Sequence, residues 1–137
     1  MILIDSSAWI EYYRPDGLAE IKKAVSFAIQ ENTAAVNGIV KVEILVFSSN
    51  KGDYKKLLSD FASFHWLELK QDVFDLASEM GRELRRKGIT IPATDLIIAA
   101  CARVNNTSLI HFDNHFEKIA QFYSLQTISP LRKHKKN

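Results

Sequence analysis

Four carboxylates stand in surroundings that do not ordinarily hold them. Asp5 follows the apolar run ILI, Glu43 is alone in IVKVEILVF, Asp95 lies in IPATDLIIAACA, and Asp113 comes directly after LIHF. A carboxylate among apolar residues bears a desolvation cost unless a cation or strong hydrogen-bond donors meet it. The neighbourhood offers no histidine–cysteine cluster suited to zinc, and hard carboxylate oxygens suit magnesium or manganese instead. If the four converge, mutual repulsion raises at least some of their pKa values unless cations bind. One or two divalent ions in such a crevice would orient water, assist its deprotonation and stabilise a phosphodiester during in-line attack. Each acid also has a purely structural reading. Asp5 suits a helix N-cap, with Ser6 or Ser7 sharing that work. Asp95 suits the first turn of a helix, where unpaired amides favour negative charge, and Glu43 suits an exposed helical face.

The elements that would position these acids alternate along the chain. Leu3 to Asp5 end a short buried strand, and SSAWIEYY begins the crossover after it. From Leu18 to Gln30 apolar residues recur at helical spacing, TAAV reads as a strand, and the length of IVKVEILVFSS favours a helix over a strand. DYKKLLSDFASF is an amphipathic helix, HWLEL a strand, and DVFDLASEMGRELRRKG a longer helix stopped near Gly88. PATDLIIAACARVNN is a compact helix with Pro92 near its start; TSLIHF is a strand, DNHFEKIAQF a short helix and LQTI a last strand. This alternation predicts a three-layer α/β domain with a central, mostly parallel β-sheet flanked by helices. In such a sheet ligands gather beyond the carboxyl ends of the strands, where Asp5 and Asp113 both fall.

Length and composition narrow the classes. At 137 residues with 47% apolar content, the chain suits one domain with a sizeable core. Residues 1–131 are expected to form that domain and 132–137 a basic C-terminal tail. Cys101 is the single cysteine, which excludes an intrachain disulfide and a cysteine-rich zinc site. No stretch approaches the roughly eighteen apolar residues of a membrane span, and the opening residues lack a signal-peptide pattern, so a cytoplasmic protein is expected. The net charge of +2 comes from the terminus. Without Arg132, Lys133, Lys135 and Lys136, the remaining 14 basic residues face 16 acidic ones. RKHKKN is thus either a solubilising end or a salt-sensitive aid to RNA association.

On these residues the chain resembles the PIN-domain family of small metal-dependent ribonucleases, especially the toxin component of VapBC-type toxin–antitoxin pairs. The likeness rests on ILIDSSAWIEYY, NGIVKVEILV and PATDLIIAACARVNNTSLIHFDNHF, in that order, and spans the domain up to its last strand. It implies a PIN-like fold with Asp5, Glu43, Asp95 and Asp113 as the catalytic, metal-binding acids, holding Mg2+ or Mn2+. It further implies an RNA substrate, commonly tRNA or ribosomal RNA, and a cognate antitoxin that covers or distorts the site. A homodimer is expected as well. Ser6 looks like the small hydroxyl residue that supports the first acid. Two departures from the family stand out: His111 occupies a position commonly taken by threonine or serine, and Asn114 with His115 stand where many relatives carry another acid. His111 either hydrogen-bonds a site water or phosphate or is a structural histidine at the strand end.

Arg82 and Arg86 lie four apart and share a helical face, giving either a rail for RNA phosphates or a solvated face paired with Glu79 or Glu83. Trp9, Tyr12 and Tyr13 suit base stacking, a core or a protein interface, and are left unassigned. A haloacid-dehalogenase-like phosphoryl transferase would need a second aspartate that DSSAW lacks, and a nucleotide-binding protein would need a P-loop or GxGxxG loop. The remaining rival is a catalytically weak PIN-like protein-binding or RNA-binding module.

Overall fold

A computed structural model of the chain describes residues 1–132. The tail beyond Arg132 lies outside the described residues.

The elements run β1 (Ile2–Ile4), α1 (Ser6–Tyr13), α2 (Ala19–Gln30), β2 (Ala34–Val36), α3 (Gly38–Leu45), α4 (Lys51–Ala62), β3 (His65–Trp66), α5 (Gln71–Arg86), α6 (Ala93–Val104), β4 (Ser108–Ile110), α7 (Asn114–Ala120) and β5 (Thr127–Ile128). Short polar side chains start several helices by taking up free amides. Asn37 accepts from Val40 N at 3.1 Å, and Asn50 accepts from Asp53 N at 2.9 Å. Gly88, at φ +81°, supplies the left-handed residue that stops α5.

The strands form one sheet in the order β3-β2-β1-β4-β5. All four pairings are parallel, so the mostly parallel expectation sharpens to a wholly parallel sheet flanked by helices. β3 is shorter than HWLEL suggested. It lies at the sheet edge with one neighbour, and only His65 and Trp66 find register partners, on Ala35 and Val36. β4 likewise ends at Ile110, before His111 and Phe112.

Strand order reverses at β1: the chain builds outward to β2 and β3, then returns to the other side of β1 for β4 and β5. Ligands of open parallel sheets bind at such a switch point, in the crevice beyond neighbouring strands whose connections diverge. α1 packs on α2 and α3, and α5 packs on α6, which meets α7. α3 also touches α6, bringing the helices that carry Glu43 and Asp95 together.

Small residues govern the closest approaches. Ala99, Ala100, Cys101 and Ala102 of α6 are all fully buried. A Cβ added to Gly81 on α5 would lie 2.6 Å from Leu96 Cδ1, so the glycine leaves room for the Leu96 side chain of α6. Trp9 is fully buried in an aromatic cluster with Tyr12, Tyr13, Phe61 and Phe64. Its place is the core, and truncating it to Ala would cost about 3–5 kcal/mol.

Candidate active site

Asp5 occupies the first residue beyond β1 and is only 3% exposed. Its backbone N–H still bonds Ile110 O at 2.9 Å, so the residue is pinned where β1 and β4 part. Its side chain caps α1: Oδ2 accepts from Ser7 N at 3.0 Å and from Ser7 Oγ at 2.5 Å. Oδ1 receives no hydrogen bond among the described residues. Burial pushes the Asp5 pKa from the ordinary 3.8 up to about 6, the two Ser7 hydrogen bonds pull it back, and repulsion from Asp95 and Glu43 adds to the rise.

Asp95 sits in the first turn of α6, and burial raises its pKa as well. A hydrogen bond from His115 opposes that rise, whereas the charges of Asp113 and Glu43 reinforce it. Asp113 is the N-cap of α7 and accepts from His115 N at 2.9 Å. Glu43, half-buried on α3, accepts from Ser6 Oγ at 2.7 Å. Asp5 thus feels the charges of Asp95 and Glu43, and Asp95 those of Asp113 and Glu43. The four acids come from the end of β1, from α3, from α6 and from the β4–α7 connection.

The supporting hydroxyl differs from the expectation. Ser7 holds Asp5, and Ser6 holds Glu43. The second helical residue turns both its amide and its hydroxyl back to the N-cap carboxylate, whereas the first projects toward α3. Ser7 Oγ also accepts from Phe112 N at 2.8 Å, tying α1 to the loop that carries Asp113.

His111 is fully buried. Its Nδ1 accepts from Asp113 N at 3.1 Å, which leaves Nε2 to carry the proton and donate to Glu117 Oε2 at 2.7 Å. Of its two sequence readings, the geometry fits the structural one: it faces no solvent, and its hydrogen bonds hold the Asp113 backbone. Burial lowers its pKa below the ordinary 6.5, while Glu117 pulls the other way.

His115 is the residue that sequence reasoning left unassigned. Its Nδ1 lies 2.8 Å from Asp95 Oδ2 and 3.2 Å from Asp113 Oδ1. Asp95, Asp113 and His115 each offer a ligand atom, all within 4.8 Å of one another. The signal that would have found it is the spacing D-x-H at a helix start, where an N-cap acid binds the amide two residues on and draws that residue beside it.

Arg82 and Arg86 are exposed and, with Arg85, Ser78, Thr90 and Leu96, border a cavity of about 580 Å³. Leu96, which lines this groove, follows Asp95 on α6 but leaves the helix on a different face. Among the described residues neither arginine is ion-paired, and Glu83 instead takes the Tyr123 hydroxyl.

The donor chemistry fits a hard divalent ion: oxygen donors dominate, one Asp5 oxygen is free, and the carboxyl charges lack a nearby lysine or arginine partner among the described residues.

The PIN domain family profile matches residues 2–121. A VapC ribonuclease of Mycobacterium bovis is 29% identical over 140 residues, covering 94% of this chain and 98% of that protein. Ribonuclease VapC18 of Mycobacterium tuberculosis is 26% identical over 121 residues, 85% of each. In fold, the chain is similar to the FitAcB crystal structure from Neisseria gonorrhoeae, with a TM-score of 0.77 at 20% identity over 95% of this chain and 98% of that one.

Proposed function

The chain belongs to the PIN domain family, and from that premise we propose that it is a divalent-metal-dependent endoribonuclease, the toxin of a toxin–antitoxin pair, with tRNA or ribosomal RNA as its target. The observation that carries the reading is the meeting of Asp5, Glu43, Asp95 and Asp113 at the switch point of a parallel sheet, with Asp5 buried and its pKa near 6. The relatives named as ribonucleases support the choice of RNA.

Asp5, Asp95 and Asp113 would hold Mg2+ or Mn2+, with Glu43 beside them. Bound there, the ion would acidify a water and neutralise charge building on the phosphodiester. Ser7 and the β1 terminus keep Asp5 aimed at the crevice. His111 fixes the Asp113 amide, and Ser6 fixes the Glu43 carboxylate for positioning the attacking water. Arg82 and Arg86 lead the RNA backbone toward the crevice as phosphate contacts. Hydrolysis by water leaves a 5′-phosphate and a 3′-hydroxyl.

The proposal includes a cognate antitoxin and a homodimer, in the cytoplasm. Val42, Val46 and Phe47, 61%, 68% and 78% exposed, form an apolar strip on and just after the helix that carries Glu43. An antitoxin segment seated there would lie beside the site. Sedimentation of the isolated chain tests the dimer, and a monomer throughout the micromolar range overturns that part.

Cleavage of RNA should stop with chelator and return with magnesium or manganese. Asp5→Asn and Asp95→Asn, folded by circular dichroism, should each cut at least about tenfold more slowly, roughly 1.4 kcal/mol in the barrier. Wild-type rates in both variants, or cleavage after verified metal removal, overturn the mechanism. Metal-dependent RNA binding without any cutting would favour the weak binding module instead.

A further inference from the structure

We propose that His115 is itself a metal ligand through Nδ1, completing a two-carboxylate, one-imidazole set with Asp95 and Asp113 that favours Mn2+ over Mg2+. The inference rests on the metal-dependent reading above and concerns a residue that reading does not use. Neighbouring ligands about 2.1 Å from a six-coordinate ion and at right angles to each other lie about 3 Å apart. The His115 Nδ1 contacts, 2.8 Å to Asp95 Oδ2 and 3.2 Å to Asp113 Oδ1, bracket that spacing. The imidazole already stands at the separation from each carboxylate that a shared ion demands, and all three ligand atoms lie within 4.8 Å of one another.

Two constraints hold His115 in this pose. Its own amide is bound to Asp113 Oδ1 at 2.9 Å, and the following Phe116 is fully buried against His111. The imidazole is one-third exposed, so solvent and ions reach it. Asp5, with its free Oδ1, stands near enough to Asp95 for their charges to interact. The ligand field is therefore mixed. Mg2+ holds its water tightly and takes oxygen donors almost exclusively, whereas first-row transition ions accept imidazole nitrogen readily. Replacing one carboxylate by imidazole also leaves the site one negative charge poorer, which weakens the attraction for an ion bound mainly by charge.

The test uses the full chain loaded with Mn2+ and pulsed electron paramagnetic resonance, which detects a directly bound ¹⁴N by its modulation of the echo. Wild type should show nitrogen modulation, and His115→Asp and His115→Gln should both lose it. Calorimetric titration should find Mn2+ bound at least about tenfold more tightly than Mg2+, a ratio that narrows in His115→Asp. Mn2+ binding that depends on Asp95 but carries no nitrogen signal overturns the His115 assignment while leaving the metal-dependent nuclease standing. A nitrogen signal that persists in both variants also overturns it. If no Mn2+ binds at the millimolar level, the inference and the metal-dependent reading fall together.

Discussion

Ser7 and Phe112, 105 residues apart in the chain, are joined by a 2.8 Å hydrogen bond from the Phe112 amide to the Ser7 hydroxyl, which in turn donates to Asp5. One hydroxyl therefore serves a buried carboxylate and a loop amide together. Ser7→Ala leaves both short of a partner, at a cost of about 1–3 kcal/mol, and loosens the loop that carries Asp113. Ser6→Ala removes a single bond to the less buried Glu43 and should cost about 1 kcal/mol or less. Urea denaturation of the two variants measures the difference; equal losses would mean the Ser7 bridge contributes nothing beyond an ordinary hydrogen bond.

Asp5 makes stability fall as pH rises. In the metal-free protein its folded pKa is about 6 against 3.8 in the unfolded chain, so between those values the folded state holds a proton the unfolded state has released. The contribution is fully present below pH 3.8 and lost by the time pH passes 6. Asn keeps the cap but carries no charge. Asp5→Asn should therefore be more stable than wild type above pH 6, by on the order of 2–3 kcal/mol, with the gap closing toward pH 4. Denaturation of both proteins in chelator across pH 4–8 checks this, and a gap independent of pH would refute it.

His111 acts in the opposite direction. Its folded pKa lies below the ordinary 6.5, so the unfolded chain gains a proton first as pH falls, and this contribution to stability declines below about pH 6.5. Nitrogen NMR should show the neutral ring protonated on Nε2, with a titration midpoint below the ordinary 6.5. His111→Ala opens a cavity and orphans the Asp113 amide, and should cost about 2–4 kcal/mol. A titration midpoint above 6.5, or a neutral ring protonated on Nδ1, would contradict the geometry.

Arg82 and Arg86 should influence RNA affinity more than chemistry. In the Asp95→Asn background, Arg82→Gln with Arg86→Gln should flatten the dependence of log affinity on log salt by about 1.4 for two lost phosphate contacts. In the active protein the same pair should raise KM with little change in kcat. An unchanged salt slope would return these residues to a solvated helix face.

Most of the scaffold was legible because its signals are local. Asp5 and Asp113 beyond strand ends, the helical length of IVKVEILVFSS and the Gly88 stop of α5 are all signals within a few residues, and the elements they mark formed there. What was not legible depends on contacts distant in sequence. Ser6 and Ser7 are chemically identical, and only the positions of α3 and of the Phe112 amide assign one to Glu43 and the other to Asp5. His111 and His115 share a residue type four positions apart. One is sealed between Glu117 and the Asp113 backbone, and the other faces two carboxylates, a division made by the turn into α7. β3 lost most of its expected length because an edge strand has one neighbour to specify its extent. Trp9, ambiguous beside Tyr12 and Tyr13, was settled by Phe61 and Phe64 from the far end of α4 and just beyond.

The sheet order also sets a timetable during synthesis. β1 leaves the ribosome first, yet its partner β4 begins at Ser108, after more than a hundred residues have been made. A chain interrupted before that point carries Asp5, Glu43 and Asp95 but lacks the Phe112 amide, Asp113 and His115 together. Parallel pairing at this separation closes slowly and late. Docking of the fourth strand against the first is the step that brings the β4–α7 connection to Asp5.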